Sequence, residues 1–144
     1  MDTRIRRKVE TQTVEVFFYG LFMDEALLEA KGVRPASMEP ASAEGFRLRI
    51  GQRATIKPEK EEVVYGLVAR LTPREVELLY SEPSLEDYRT QTIAVTLNGQ
   101  RRDVQCFTLP NPPSMTEHNP EYAAKLRALA KRLNLPDRYV ASIT

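Results

Sequence analysis

One carboxylate stands at a break in the chain. In 78-LLYSEPSLEDYRTQTIAV-95, helix-favouring residues run to Ser81, and Glu82 follows directly before Pro83. A residue ahead of proline is pushed out of the helical region, so Glu82 marks a corner. Six residues on, Tyr88 opens a β-like run, with Arg89 behind it. A carboxylate held at such a corner can take up and return a proton. The bland occupant of the same position is a solvated surface acid, and Glu86 and Asp87 beside it are read that way. A second candidate is 19-YGLFM-23. There a strand ends, Gly20 turns the chain, and a helix begins near Asp24. Backbone N–H groups at a helix start donate to anions such as carboxylates, and a glycine lets a ligand approach the main chain. Asp24 works against an anion there, since it can take the free N–H groups itself. The stretch also lacks the longer glycine pattern of a nucleotide loop.

Other chemistries find little support. Cys106 is the only cysteine and His118 the only histidine. One lies in a strand-like run and the other in a proline-rich loop, a poor start for a nucleophilic pair. Together they supply too few ligands for a structural zinc site, so no metal and no cofactor is expected. The single cysteine rules out an internal disulfide and suits a reducing, cytoplasmic setting. The net charge is +1, from 21 basic and 20 acidic residues, which argues against nucleic-acid or membrane partners. No apolar run approaches the roughly 20 residues of a membrane span. The basic cluster Arg4, Arg6, Arg7 and Lys8 belongs to a polar stretch, residues 1–13, expected to be a flexible N-terminal arm.

The elements that must carry these residues are legible in outline. The run 14-VEVFFYG-20 reads as a strand. Asp24 to Gly32 reads as a short helix with an N-cap aspartate and a glycine just past its end. Residues 33–45 look irregular or partly extended, and 46-FRLRI-50 alternates as a strand does. The charged run 57-KPEKEE-62 reads as a turn before the most apolar strand, 63-VVYGLVARL-71. Thr72, Pro73 and Glu75 form a capping box with a first-turn proline and start a helix over 73–81. Asn98-Gly99 between two β-like runs, 88–97 and 101–109, is a hairpin signal. Asn119 and Pro120 open a final helix whose apolar stripe is Tyr122, Leu126, Leu129 and Leu133. Residues 137–143 close the chain as a turn or short helix. Strands mostly joined by short loops, with helices inserted, make an α+β fold rather than alternating α/β. The expected architecture is a small, mostly antiparallel β-barrel of five to six strands with flanking helices, one domain over residues 14–143.

Taken together, these segments resemble the γ-glutamylcyclotransferase-like superfamily. The features that carry the resemblance are Tyr19-Gly20 at the end of an early strand, then 64-VYGLVARL-71, a short helix, a Glu, and a Tyr opening the next strand. Near the C-terminus 113-PS-114, the Tyr122-led helix and 135-LPDRY-139 continue the likeness, which spans roughly residues 14–143. It implies a barrel with a pocket at one end. Tyr19, Gly20, Leu21 and Phe22 would line that pocket, Glu82 would serve as its acid/base, and Tyr88 would sit beside it. Two departures stand out. Leu21 and Phe22 replace the Ser or Thr and the Leu or Asn that commonly follow Tyr-Gly, and Pro83 replaces a glycine after the Glu.

The chemistry implied is intramolecular. The α-amine of a γ-glutamyl amine or peptide attacks its own γ-carbonyl, closing 5-oxoproline and releasing a free amine. Such a reaction is chiefly one of orientation and one proton transfer, and it requires no cofactor. Partial burial would raise the Glu82 pKa from about 4.3 toward neutrality, with Leu79, Tyr80, Phe22 and Tyr88 as the apolar wall. Backbone N–H groups of Gly20 to Phe22 would meet the oxyanion. The sequence does not place Arg47, Arg49, Arg53 or Arg89 in or out of the pocket, though one of them could pair with the substrate α-carboxylate. Two alternatives compete: a relative that binds a small molecule without turnover, and an interaction module using the last helix. Lys125, Arg127, Lys131 and Arg132 more simply solvate that helix's outer face. The leaving amine and the oligomeric state are not encoded legibly.

Overall fold

The computed structural model describes residues 12–144. Most of the expected arm, with its basic cluster, lies outside the described residues. Strand β1 (Val14–Phe18) leads through a tight 3₁₀ turn, Leu21–Met23, into helix α1 (Glu25–Ala30). Strands β2 (Ser37–Ile50) and β3 (Ala54–Leu71) form a long hairpin, and helix α2 (Pro73–Leu79) follows at once. A second 3₁₀ turn, Pro83–Leu85, separates α2 from β4 (Arg89–Leu97) and β5 (Gln100–Thr108). Helices α3 (Pro120–Arg132) and α4 (Asp137–Ser142) complete the chain.

The five strands close into a barrel in the order β1-β3-β2-β4-β5. All neighbours are antiparallel except β5 and β1, whose parallel pairing at Val16 and Gln105 closes the ring. The alternating pattern of β4 and β5 explains the inside. Ile93, Val95 and Leu97 face inward from β4, and Val104, Cys106 and Thr108 from β5. Asn98 and Gly99 both have positive φ, 51° and 76°, as a two-residue hairpin turn of this hand requires. Helix α3 buries Ala123, Leu126, Leu129 and Ala130. Its Lys125, Lys131 and Arg132 are exposed, but Arg127 is half-buried and donates to the Ile143 carbonyl at 2.6 Å. Arg127 thus fastens α3 to the chain end instead of solvating its outer face.

One expectation from the sequence is sharpened and one fails in the β2–β3 region. The stretch 33–45 is largely strand, because β2 begins at Ser37 and pairs continuously with Arg70 through Val63. The run 57–62 is not the hairpin turn. That turn lies at Gly51–Arg53, where the Gly51 N–H donates to the Arg53 carbonyl at 3.1 Å. The charged stretch instead marks a register break. Glu44 pairs with Val63, Phe46 with Pro58, and the intervening β3 residues bulge out with Glu61 at φ 66°. Pro58 is tolerated because β1 pairs only with residues 67–71, leaving this part of β3 at an edge.

Candidate active site

The first functional segment is the end of β1. Tyr19 is buried, and its hydroxyl donates to the Phe107 carbonyl at 2.7 Å. Gly20 follows where the hydroxyl of Tyr122 comes close: a Cβ on residue 20 would stand 2.6 Å from it. Residue 20 is therefore glycine for space. The chain then turns into Leu21–Met23, and no side chain caps the start of that turn. N–H groups at a helical start have no intrahelical acceptor. Asp24 does not take them. Its Oδ1 accepts from the Ala26 N–H at 3.0 Å, capping α1, and its Oδ2 lies 3.6 Å from Arg132.

The second segment follows α2. The capping box is complete: Thr72 accepts from the Glu75 N–H, and Glu75 accepts from the Thr72 N–H. The helix ends at Tyr80, and Glu82 is extended at φ −64° and ψ 136°, as a residue before proline must be. Pro83 starts the next turn, and Tyr88 closes it with its N–H on the Leu85 carbonyl. The Tyr88 hydroxyl donates to the Ala54 carbonyl, joining this loop to the start of β3.

These segments meet around one cavity of about 250 Å³. Residues 17–22 form one side of it. Tyr80, Glu82, Leu85 and Tyr88 come from α2 and the loop beyond, and the β2–β3 turn adds Gln52, Arg53 and Ala54. Leu27 and Tyr122 complete the lining. All six residues singled out from sequence, Tyr19, Gly20, Leu21, Phe22, Glu82 and Tyr88, border this single space.

The wall is a linked set of rings. Tyr80 stacks on Phe107 with centroids 3.8 Å apart, meets Phe22 edge-on at 5.6 Å, and leans toward Tyr88 at 6.3 Å. Burial pushes the Tyr19 and Tyr80 hydroxyls well above the ordinary phenol pKa, and the neighbouring Cys106 adds to this. Tyr88 is raised chiefly by burial, with Arg53 opposing. Tyr122 is raised by burial, with the Leu21 amide opposing. These phenols therefore stay neutral near pH 7, and Glu82 is the one carboxyl group among the described residues of the lining.

Glu82 is partly buried, as expected, but it is not without a partner. Its side chain is 43% exposed and ion-paired through Oε1 with Lys31, which follows α1. Leu79, expected in the apolar wall, is fully buried in the core instead, because α2 turns that face into the barrel. Of the four arginines considered, Arg53 alone lines the cavity. Arg47 and Arg49 border a second cavity near α4, and Arg89 donates to the carbonyls of Glu86 and Tyr88. Glu86 and Asp87 are exposed, though Asp87 also pairs with Arg53 at 3.1 Å. Cys106 is sealed in the core, where burial pushes its thiol up to about 12, while His118 borders the second cavity. The two do not form a catalytic pair.

Lys31, Gln52 and Tyr122 escaped sequence reasoning as members of one site. Tyr122 carries a signal only in hindsight of the fold: it heads the apolar stripe of α3, one position from solvent. Lys31 carries none, because its partner is 51 residues away.

A family model described as "Gamma-glutamyl cyclotransferase, AIG2-like" matches residues 16–126. The chain belongs to that family. Similar solved structures include one titled "Gamma-glutamyl cyclotransferase", with 19% identity and a TM-score of 0.74 over 92% of this chain and 89% of the other. An uncharacterised protein from Homo sapiens gives 19% identity and a TM-score of 0.74, over 92% and 88% of the two chains. YkqA from Bacillus subtilis gives 19% identity and a TM-score of 0.77, over 95% of this chain and 54% of that one. These likenesses define the fold. No curated protein gives a significant sequence match.

Proposed function

We propose that this protein is a γ-glutamyl cyclotransferase with Glu82 as its acid and base. The observation that carries the proposal is the meeting of one carboxylate and one uncapped turn on a single, largely apolar cavity. Lys31 engages Oε1 of Glu82, and Oε2 has no partner among the described residues. Oε2 accepts a proton from the substrate ammonium. The freed α-amine attacks the γ-carbonyl carbon, forming the ring C–N bond. Negative charge gathers on the carbonyl oxygen, where the Phe22 N–H stabilises it together with the Leu21 N–H, which is shared with the Tyr122 hydroxyl. The ring nitrogen, cationic after attack, gives up its second proton to solvent, and the bond to the leaving nitrogen breaks as Glu82 returns the first proton to it; the released amine then takes a proton from solvent. The products are 5-oxoproline and a free amine, with no net proton change beyond the amines' own equilibria. Arg53 faces the substrate α-carboxylate, Tyr19 and Phe22 hold the carbon chain in a bent form, and Tyr88 packs beside it.

The direct test measures 5-oxoproline release from a panel of γ-glutamyl amides by the wild type and by Glu82→Gln. Release by the first and not the second is the expected result. A second reading draws on the Lys31–Glu82 pair, on Leu21 and on Pro83: a binding domain without turnover. In that case Glu82→Gln changes ligand affinity while neither protein forms 5-oxoproline.

A further inference from the structure

The cavity takes Gln52, Arg53 and Ala54 from the turn between β2 and β3, and that turn is held from outside. Both backbone polar groups of Gln52 are engaged by the connector between β5 and α3, residues 109–119. Glu117 accepts the Gln52 N–H through Oε2 at 2.6 Å, and the Asn119 side-chain amide donates to the Gln52 carbonyl at 3.4 Å. A hydrogen bond to an ionised carboxylate is shorter and stronger than one between neutral groups.

The connector is shaped to deliver that carboxylate. Pro110, Pro112 and Pro113 fix φ along its first half. Arg49 donates to the carbonyls of Pro113 and Ser114, each at 3.4 Å, and to Met115 Sδ at 2.8 Å. The Glu117 N–H closes a turn on the Ser114 carbonyl at 3.1 Å. Asn119 also caps α3, its Oδ1 accepting the Tyr122 N–H at 3.1 Å. A Cβ on residue 51 would overlap the Glu117 carboxylate and stand 2.5 Å from the Pro113 Cβ. Residue 51 is therefore glycine so that connector and turn can touch. Arg53 is placed from two sides. The turn sets its backbone, and its guanidinium donates to Asp87 at 3.1 Å and to the Ser84 carbonyl at 3.3 Å.

Resting on the cyclotransferase reading, we infer that Glu117 is a positioning residue for the γ-glutamyl head. Its carboxylate pins Gln52 and so fixes where Arg53 meets the substrate α-carboxylate. Glu117 itself borders the second cavity and stands outside the lining of the first. Arg53 holds the same carboxylate before and during ring closure, so loosening it weakens ground state and transition state alike. Such a loss raises KM and spares kcat.

The experiment measures 5-oxoproline release by wild type, Glu117→Ala, Glu117→Gln, Arg53→Met and the double variant of Glu117→Ala with Arg53→Met. The substrate is the γ-glutamyl amide that the wild type turns over best. Glu117 is exposed, so the variants are expected to fold. Glu117→Ala is expected to raise KM about tenfold and leave kcat within about twofold, the lower end of the loss for a hydrogen bond to a charged group. Glu117→Gln keeps an oxygen acceptor and is expected to recover most of that KM. In the Arg53→Met background, Glu117→Ala is expected to add little, since both changes act on one contact. Amide exchange at Gln52, followed by NMR, is expected to be faster in Glu117→Ala than in the wild type or Glu117→Gln. A role in stability alone would lower the unfolding temperature and leave these readouts in place. An unchanged KM, a loss carried by kcat, a Glu117→Gln no better than Glu117→Ala, full additivity with Arg53→Met, or unchanged exchange at Gln52 each overturns the inference, while wild-type release of 5-oxoproline leaves cyclotransfer standing. If the wild type releases 5-oxoproline from no γ-glutamyl amide, cyclotransfer fails, and Gln52 exchange decides the positioning role alone. Faster exchange in Glu117→Ala upholds it; unchanged exchange overturns it.

Discussion

Two strands of this barrel run almost directly into helices, and the two junctions are finished in opposite ways. Between β3 and α2, Thr72 and Glu75 satisfy each other's backbone N–H groups, Pro73 removes a third donor, and Glu75 also accepts from the Arg34 N–H at 2.9 Å. Between β1 and α1, Gly20 offers no side-chain cap, Asp24 caps the following helix instead, and the turn borders the cavity. A protein can close a helix start for stability or leave it open for a guest. This chain does each once, and the open junction lies in the same cavity wall as the lone carboxylate.

The sharpest way to break the contrast is at the chemistry. Glu82→Gln is expected to lower 5-oxoproline release by about 10²–10⁴-fold. Thermal unfolding of that variant is expected to shift little, since half-exposed ion pairs contribute only about 0–1 kcal/mol. Gly20→Ala attacks the open junction itself. Its new methyl presses on the Tyr122 hydroxyl, and displacing the turn by an ångström is expected to cost about 10²-fold in kcat/KM. Steady-state kinetics with the best panel substrate check this. Thr72→Ala attacks the closed junction. It is expected to cost about 1 kcal/mol of stability by urea unfolding and to leave kcat/KM alone. Smallest of all is Lys31→Met, with a stability change of about 0–1 kcal/mol. If Thr72→Ala lowered turnover as Gly20→Ala does, the division of labour between the junctions would not hold.

What the sequence disclosed follows the range of the signals. The caps at Asp24, Thr72 and Asn119 and the Asn98-Gly99 hairpin are each settled within four residues, and each is where it was expected. The β2–β3 hairpin misled because Pro58 and the acids around it are local turn formers. Pairing with β2, which sets Pro58 opposite Phe46 and Val63 opposite Glu44, overrides them and turns the break into a bulge. The site divides in the same way. Glu82 announced itself through Pro83, and the Tyr19–Phe22 turn through Gly20. Arg53 and Lys31 became part of the site only when the barrel brought the β2–β3 turn and the end of α1 to the same opening. The partial burial expected for Glu82 is present, but its lysine partner belongs to the assembled wall and has no local signal.

The Tyr19 hydroxyl on the Phe107 carbonyl joins β1 to β5, the two strands that close the barrel with a short parallel pairing. Phe107 in turn carries Tyr80 by stacking. The ring that shapes the cavity and the seam that shuts the barrel are thus one piece of structure. Cavity shape and foldedness are therefore coupled traits in this protein. Changes that recut the aromatic wall also loosen the closure, so the cavity is most readily reshaped through Leu27 and Leu85, on the side that carries no part of the seam.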